Sequence, residues 1–247
     1  MSVYLTYFVQ LLLVIHVLKT GRNRYWILLL IMVPLIGGLA YLVIEILPEF
    51  AGGIRGQRAL RTMRNAMDPG ASLRRQEAAW QQSPNADNAR RYAAALLEEG
   101  QYEKAGEILE KALSGFFSTE PSLLLLKGRL LFETGKASEA VEVLETLTAE
   151  NPEFRSAEGH LLYARSLESC ERIGDAIDAY RSVSNYFPGA EARLRLALAL
   201  GKHGDRDASR RQLEQLLNDA KLAPSHFRRS QKDWLDRARQ ELKSLEA

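Results

Sequence analysis

Apolar residues are distributed along this chain in two ways. From Val3 to Leu18, and again from Tyr25 to Leu47, they run almost unbroken, interrupted only by Thr6, Gln10 and His16 in the first stretch and by Glu45 in the second. From about Pro84 onward they recur at helical spacing instead, one stripe per segment, with charges on the remaining face. A continuous run predicts a helix surrounded by an apolar medium, whereas a stripe predicts a helix covered on one side. The chain is therefore predicted to be all-α: a two-helix transmembrane hairpin over 1–50, a junction over 51–83, paired helices over 84–220 and a capping helix over 221–247.

The paired helices repeat. Ala105, Ala140, Ala176 and Ala208 stand near the starts of second helices, at spacings of 35, 36 and 32 residues. Twelve residues before the first three lie Ala93, Gly128 and Ala164, and three residues after those lie Leu96, Leu131 and Leu167. Small residues let two helices approach, and the leucines fill the space between them. Pro152 and Pro188 close the second and third units, where a helix has to stop. The unit Ser122–Pro152 shows the plan: Leu124, Leu125, Gly128 and Leu131, a turn at Gly135, then Ala140, Val143, Leu144 and Leu147. The fourth unit, Ala190–Ala220, loses a residue in its turn and has no closing proline.

A period near 34 with this small-and-large alternation resembles the tetratricopeptide repeat. That resemblance implies an α-solenoid whose concave groove binds a protein or peptide partner and is lined by first-helix residues. Carried over by register, it marks Arg90, Leu97 and Glu98 in the first unit, Leu125, Arg129, Phe132 and Glu133 in the second, and Leu161, Arg165 and Glu168 in the third. Arg129 and Arg165 are equivalent positions 36 residues apart. Together they suit an acidic or carboxylate-bearing peptide; alternatively each pairs with a glutamate on a neighbouring helix. The asparagine and lysine clamp of chaperone-tail-binding members is not matched.

Ser225–Leu245 reads as one amphipathic helix with Phe227, Trp234, Leu235, Ala238, Leu242 and Leu245 on its apolar stripe. A terminal repeat needs a polar outer cover, which makes this segment a cap, with Trp234 either inside it or exposed as a partner anchor. Ala71–Gln82 reads as a further helix with Leu73 and Trp80 pointing inward.

At about 1.5 Å per residue, a helix over 25–47 reaches about 34 Å, enough to cross a bilayer core near 30 Å, and one over 3–18 reaches about 24 Å. The start Met1-Ser2-Val3-Tyr4 has no basic residue and does not look like a cleaved signal peptide. Tyr25-Trp26, Pro34-Leu35-Ile36-Gly37-Gly38 and Tyr41 resemble the N-terminal membrane segment of bacterial cardiolipin synthases. The paired His-x-Lys-x-x-x-x-Asp motif of those enzymes is absent, since none of His16, His160, His203 and His226 has a lysine two residues on. His16 is expected at headgroup level, Glu45 as an interfacial or locally bonded carboxylate, and Gly37-Gly38 as a place for close packing. Beyond the hairpin, Arg55, Arg58, Arg61 and Arg64 fan across one half of a helical wheel. Such a face suits an anionic phospholipid surface at about 1 kcal/mol per arginine. Three basic residues in the hairpin loop (Lys19, Arg22, Arg24) stand against those four arginines, so the positive-inside count nearly ties. It leans toward repeats in the cytoplasm at a bacterial inner membrane, with a periplasmic array as the alternative.

A formal net charge of +2 with 26% charged residues gives no global pull toward nucleic acid. The single cysteine, Cys170, excludes an intramolecular disulfide and reads as a helix-packing residue. No Gly-rich phosphate loop, metal-ligand spacing or nucleophile elbow occurs, so neither an enzyme nor a cofactor is expected. The chain reads as a membrane-anchored interaction scaffold. The alternative is an accessory factor of an envelope or phospholipid-synthesis enzyme, acting through its hairpin.

Overall fold

The computed structural model describes residues 11–19, 25–32, 34–41, 70–115 and 117–246. Every regular element among them is an α-helix. The chain divides into two compact units, Met1–Ser72 and Leu73–Ala247.

In the first unit, α1 covers 11–19, α2 Tyr25–Met32 and α3 Pro34–Tyr41. The expected single helix over 25–47 is not what the described residues form. The Trp26 and Tyr41 rings lie 5.2 Å apart, edge to face, and a Cβ on Gly37 would come within 2.6 Å of the Leu29 carbonyl oxygen. Residues 15 apart in one straight helix would be separated by about 22 Å, so α3 folds back along α2. Proline explains the break, because it disfavours helix at the residue before it and has no N–H to continue the ladder. Glycine at 37 lets backbone meet backbone. No helix among the described residues is long and apolar enough to cross a membrane. Val17, Leu30 and Tyr41 form the core, and His16 Nδ1 and Tyr41 Oη share a 3.0 Å hydrogen bond. Glu45 and Arg55, Arg58, Arg61 and Arg64 lie outside the described residues.

α4 (Ala71–Gln82) forms as expected, and its part in the second unit has Trp80 buried and Leu73 packed on the same cluster. Four helix pairs follow: α5 (Ala86–Glu98) with α6 (Tyr102–Leu113), α7 (Pro121–Glu133) with α8 (Ala137–Glu150), α9 (Ala157–Ser169) with α10 (Ile173–Ser184), and α11 (Glu191–Lys202) with α12 (Arg206–Leu222). First helices start where the sequence supplies a cap or a proline. The Asn85 and Ser156 side chains accept from the Asn88 and Gly159 amides, and Pro121 occupies the first turn of α7.

Each pair closes through the same turn. A residue in the left-handed region ends the first helix, and the next amide bonds back across the last turn: Gln101 to Leu96 O, Lys136 to Leu131 O, Arg172 to Leu167 O, Asp205 to Leu200 O. The left-handed residue is Gly100, Gly135 or Gly204 in three pairs and Glu171, at φ 57°, in the third. Five residues beyond each stands the small residue of the second helix. Ala105, Ala140 and Ala176 are fully buried, as expected. In the fourth pair that place belongs to Ser209, not Ala208: Ser209 is buried and its hydroxyl donates to Ala197 O at 2.7 Å, while Ala208 is half-buried. The bond removes the cost of burying a hydroxyl. Across the helix pair in the second unit, Gly128 sits so near Leu144 that a Cβ would be 2.9 Å from its side chain.

The C-terminal segment is two helices rather than one, α13 (Ser225–Ser230) and α14 (Lys232–Glu246). Between them the Gln231 side-chain oxygen accepts from the Ala190 amide at 3.0 Å, tying the break to the start of α11. Leu235 and Ala238 of α14 are buried against Leu194, Ala197, Leu213 and Leu216, so the segment does cover the end of the array.

Candidate functional site

First helices of successive pairs lie side by side, and the side chains one turn apart along them meet across the gap. Between α7 and α9 this produces a cavity of about 540 Å³ lined by Leu125, Leu126, Arg129, Phe132, Glu133, Glu158, Leu161, Leu162, Arg165, Phe187 and Glu191. Six of these, Leu125, Arg129, Phe132, Glu133, Leu161 and Arg165, are the second- and third-unit positions marked by register. Its lining combines aliphatic and aromatic side chains with the charges of Arg129, Glu133, Glu158, Arg165 and Glu191.

The two equivalent arginines differ. Arg129 donates from Nε to Glu133 of its own helix at 2.7 Å, an ordinary pair four residues apart. Arg165 lies with its guanidinium 4.7 Å from the centre of the Phe132 ring, a cation–π arrangement. Its Nη1 lies 4.0 Å from the Glu191 carboxylate, which already accepts from Arg195 at 2.8 Å. The Nε of Arg165 is buried with no acceptor. A guanidinium has five donors in a fixed fork, so Arg165 retains unused capacity at the cavity wall.

One pair along, the corresponding position carries a polar cluster. Glu168, the counterpart of Phe132, accepts from Tyr180 Oη and Lys202 Nζ, each at 2.8 Å, with Arg195 Nη1 at 3.8 Å. Arg195 in turn faces the Trp234 ring of α14 at 5.6 Å. Burial opposes the charge on Glu168, yet the bonds from Lys202 and Tyr180 hold its carboxyl below the usual glutamate range. Burial and the neighbouring Glu168 charge push the Tyr180 phenol upward, so it stays a donor.

The remaining positions are not gathered into the cavity. Arg90 pairs with Asp87 at 2.8 Å and Glu98 is exposed. Leu97 is not a groove residue: it is 3% exposed, in one core cluster with Trp80, Leu123 and Leu130. Glu168 is committed to the third and fourth pairs. Trp234 is half-buried under Arg195 within the cap, not a free anchor. Register did not identify Glu158, Phe187 and Glu191. Glu191 stands in the first turn of α11, one repeat after Glu158 in the first turn of α9, and that equivalence is the signal it carried. Cys170 caps α9 half-buried, with its sulfur 3.5 Å from the Ser138 hydroxyl. Among the described residues no group of three metal-ligating side chains is assembled.

Paired helices with small-residue contacts, a repeated left-handed turn and a cavity between first helices make an α-solenoid. Tetratricopeptide repeat models match residues 96–166 and 191–220. Among solved structures, MamA (residues 41 to the end) from Desulfovibrio magneticus RS-1 superposes with a TM-score of 0.56 at 19% identity, over 68% of this chain and 93% of that one. YrrB, a tetratricopeptide protein described as having an unusual peptide-binding site, gives 0.51 at 17% identity, over 65% of this chain and 81% of its own. No curated protein matches this sequence.

Proposed function

We propose that the chain is a membrane-anchored interaction scaffold that holds a peptide or helix of a partner protein between α7 and α9. The observation that carries this is Arg165, set against Phe132 with unused donors at the wall of a 540 Å³ apolar cavity. The segment it fits has an apolar side chain for the floor made by Leu125, Phe132 and Leu161. A carboxylate or carbonyl beside that side chain meets the guanidinium. A peptide-binding site in a protein of similar fold supports the same use of the array. An open groove of this kind suits binding better than catalysis, because nothing in it converges on a reacting atom.

Anchoring is carried by the first unit, whose surface includes Leu11, Leu18, Leu28, Ile31 and Met32, each at least half exposed. Apolar surface of that extent needs a cover. An anionic phospholipid surface below the arginines at 55–64 and a bacterial inner membrane with cytoplasmic repeats complete the proposal. Because the same surface could instead dock on the membrane part of an envelope or phospholipid-synthesis enzyme, replacing residues 1–50 by an unrelated anchor separates the readings. A scaffold keeps its function, an accessory factor loses it.

The groove is tested with a photocrosslinking amino acid at Leu125 in the full chain in cells, with the exposed Ser182 as the comparison site. A discrete adduct at Leu125 that disappears on Phe132→Glu is the expected result. Equal adducts at both sites would remove the groove from the proposal.

A further inference from the structure

The walls of the cavity between α7 and α9 keep level with each other. At one end a Cβ on Gly159 would come 3.1 Å from Leu125 Cδ1, and at the other the Arg165 guanidinium lies against the Phe132 ring. The two helices therefore run the same way, and position along the cavity is position along α9. In that direction the α9 wall presents Glu158, then Leu161 and Leu162, then Arg165. Glu158 and Arg165 are seven residues apart. Two turns of helix put them on one stripe, with about 10 Å between them.

Of the five charged side chains that line this cavity, three already have partners. Arg129 and Glu133 bond to each other at 2.7 Å, and Glu191 is held by Arg195 at 2.8 Å. The two left over are of opposite sign. Arg165 has a buried Nε with no acceptor. Glu158 stands exposed in the first turn of α9 and has no ion pair among the described residues. A segment carrying carboxylates alone would meet repulsion at Glu158, and one carrying cations alone would meet it at Arg165. The spacing also selects a conformation. A partner helix has the same rise as α9, so its positions i, i+3 or i+4, and i+7 match this wall level by level. On one face of an extended strand, side chains fall about 7 or 14 Å apart, and neither spacing fits both charges.

We infer that the occupant of this groove is a partner helix with an acidic and a basic residue two turns apart on one face and an apolar residue between them. It lies with its carboxylate at Arg165 and its cation at Glu158. This rests on the groove proposed above and adds the chemical order of its ligand. A glutamate in the first turn is also what a helix start favours, so the test changes that charge and asks whether the ligand's charge must change with it.

The probe is a phage-displayed library of peptides about 16 residues long, enough for a helix to form on binding. It is selected on the full chain in detergent micelles and counter-selected on the Phe132→Glu chain. Enriched sequences should carry the acid–apolar–base stripe. Glu158→Lys should weaken such a peptide about fivefold. Exchanging the peptide's basic residue for glutamate should restore its binding to the Glu158→Lys chain and weaken its binding to wild type. Structural damage at Glu158 would not be rescued by a change in the peptide. Enrichment of peptides with acidic residues alone, or equal binding of one peptide to wild type and Glu158→Lys, overturns the dipolar ligand and leaves the groove standing. If no peptide survives counter-selection, the groove reading itself falls.

Discussion

The junction between the second and third pairs and the junction between the third and fourth are built from equivalent positions, yet one is open and the other closed. At the first, Phe132 stands under Arg165 and leaves a cavity. At the second, the same place carries Glu168, which draws in Tyr180, Lys202 and Arg195, and the Trp234 ring from the cap lies against Arg195. An aromatic ring satisfies one face of a guanidinium and leaves its N–H groups free. A carboxylate satisfies the N–H groups and brings further donors with it. The two junctions thus differ in side chains, Phe132 against Glu168 on one helix and Arg165 against Leu198 on the next, while the turn that closes each pair repeats.

The closed junction should be the easier one to break. Trp234→Ala removes the ring beneath Arg195 and uncovers Leu194 and Leu213. A loss of about 3 kcal/mol is expected, discounted from a fully buried tryptophan because Trp234 is half-buried. Denaturant unfolding of the full chain checks it. Glu168→Leu strands the buried Tyr180 hydroxyl and two cations and should cost about 2 kcal/mol near neutral pH. Its pH dependence has a definite sign. The folded pKa of Glu168 is lowered from the ordinary value of 4.5, so its contribution is complete above that value and is lost as pH falls through the folded one. The stability gap between wild type and Glu168→Leu should therefore narrow below about pH 4.5; a constant gap would show that Glu168 acts by packing alone.

The open junction should respond in binding rather than in folding. Phe132→Glu places a carboxylate beside Arg165 and is expected to weaken an apolar, carboxylate-bearing peptide about tenfold, or about 1.4 kcal/mol. Titration calorimetry, once such a peptide is in hand, measures it. The smallest change is the backbone one. Glu171 holds a left-handed conformation that glycine supplies in the other three turns, so Glu171→Gly should stabilise the third pair by about 1 kcal/mol. A stability decrease would mean that the Glu171 side chain contributes more than its strained backbone costs.

The ladder was legible in the chain because close helix contact admits only small residues, and three of the four alanines chosen on that ground are fully buried. The fourth was displaced by one residue. A serine can also fill the place when a carbonyl lies within reach, as Ala197 O does for Ser209, and no period in the sequence announces that bond. Leu125, Arg129, Phe132 and Arg165, marked by register, line one cavity. Register failed at Leu97, which α4 and α7 bury from both sides, and at Glu168, whose partner Lys202 lies 34 residues away in the next pair. Both depend on neighbours specific to one junction. The apolar run at 25–47 reads in the sequence as one long helix. Its reversal at Pro34 rests on a backbone contact between Gly37 and Leu29 that hydropathy does not encode.

The hydrogen bond from the Ala190 amide to Gln231 spans 41 residues, and it gives the order of synthesis a physical meaning. As the chain leaves the ribosome, the fourth pair can form its own turn and bury Ser209, but Leu194, Leu213 and Leu216 face water until Leu235 and Ala238 arrive. Nascent chains halted between about residues 222 and 235 would present a folded array with an uncovered apolar end, the kind of surface on which chaperones act and aggregates nucleate. The segment that carries Leu235 and Ala238 is therefore a quality check as much as a cover, since the fourth pair keeps a sticky face until that segment has packed on it.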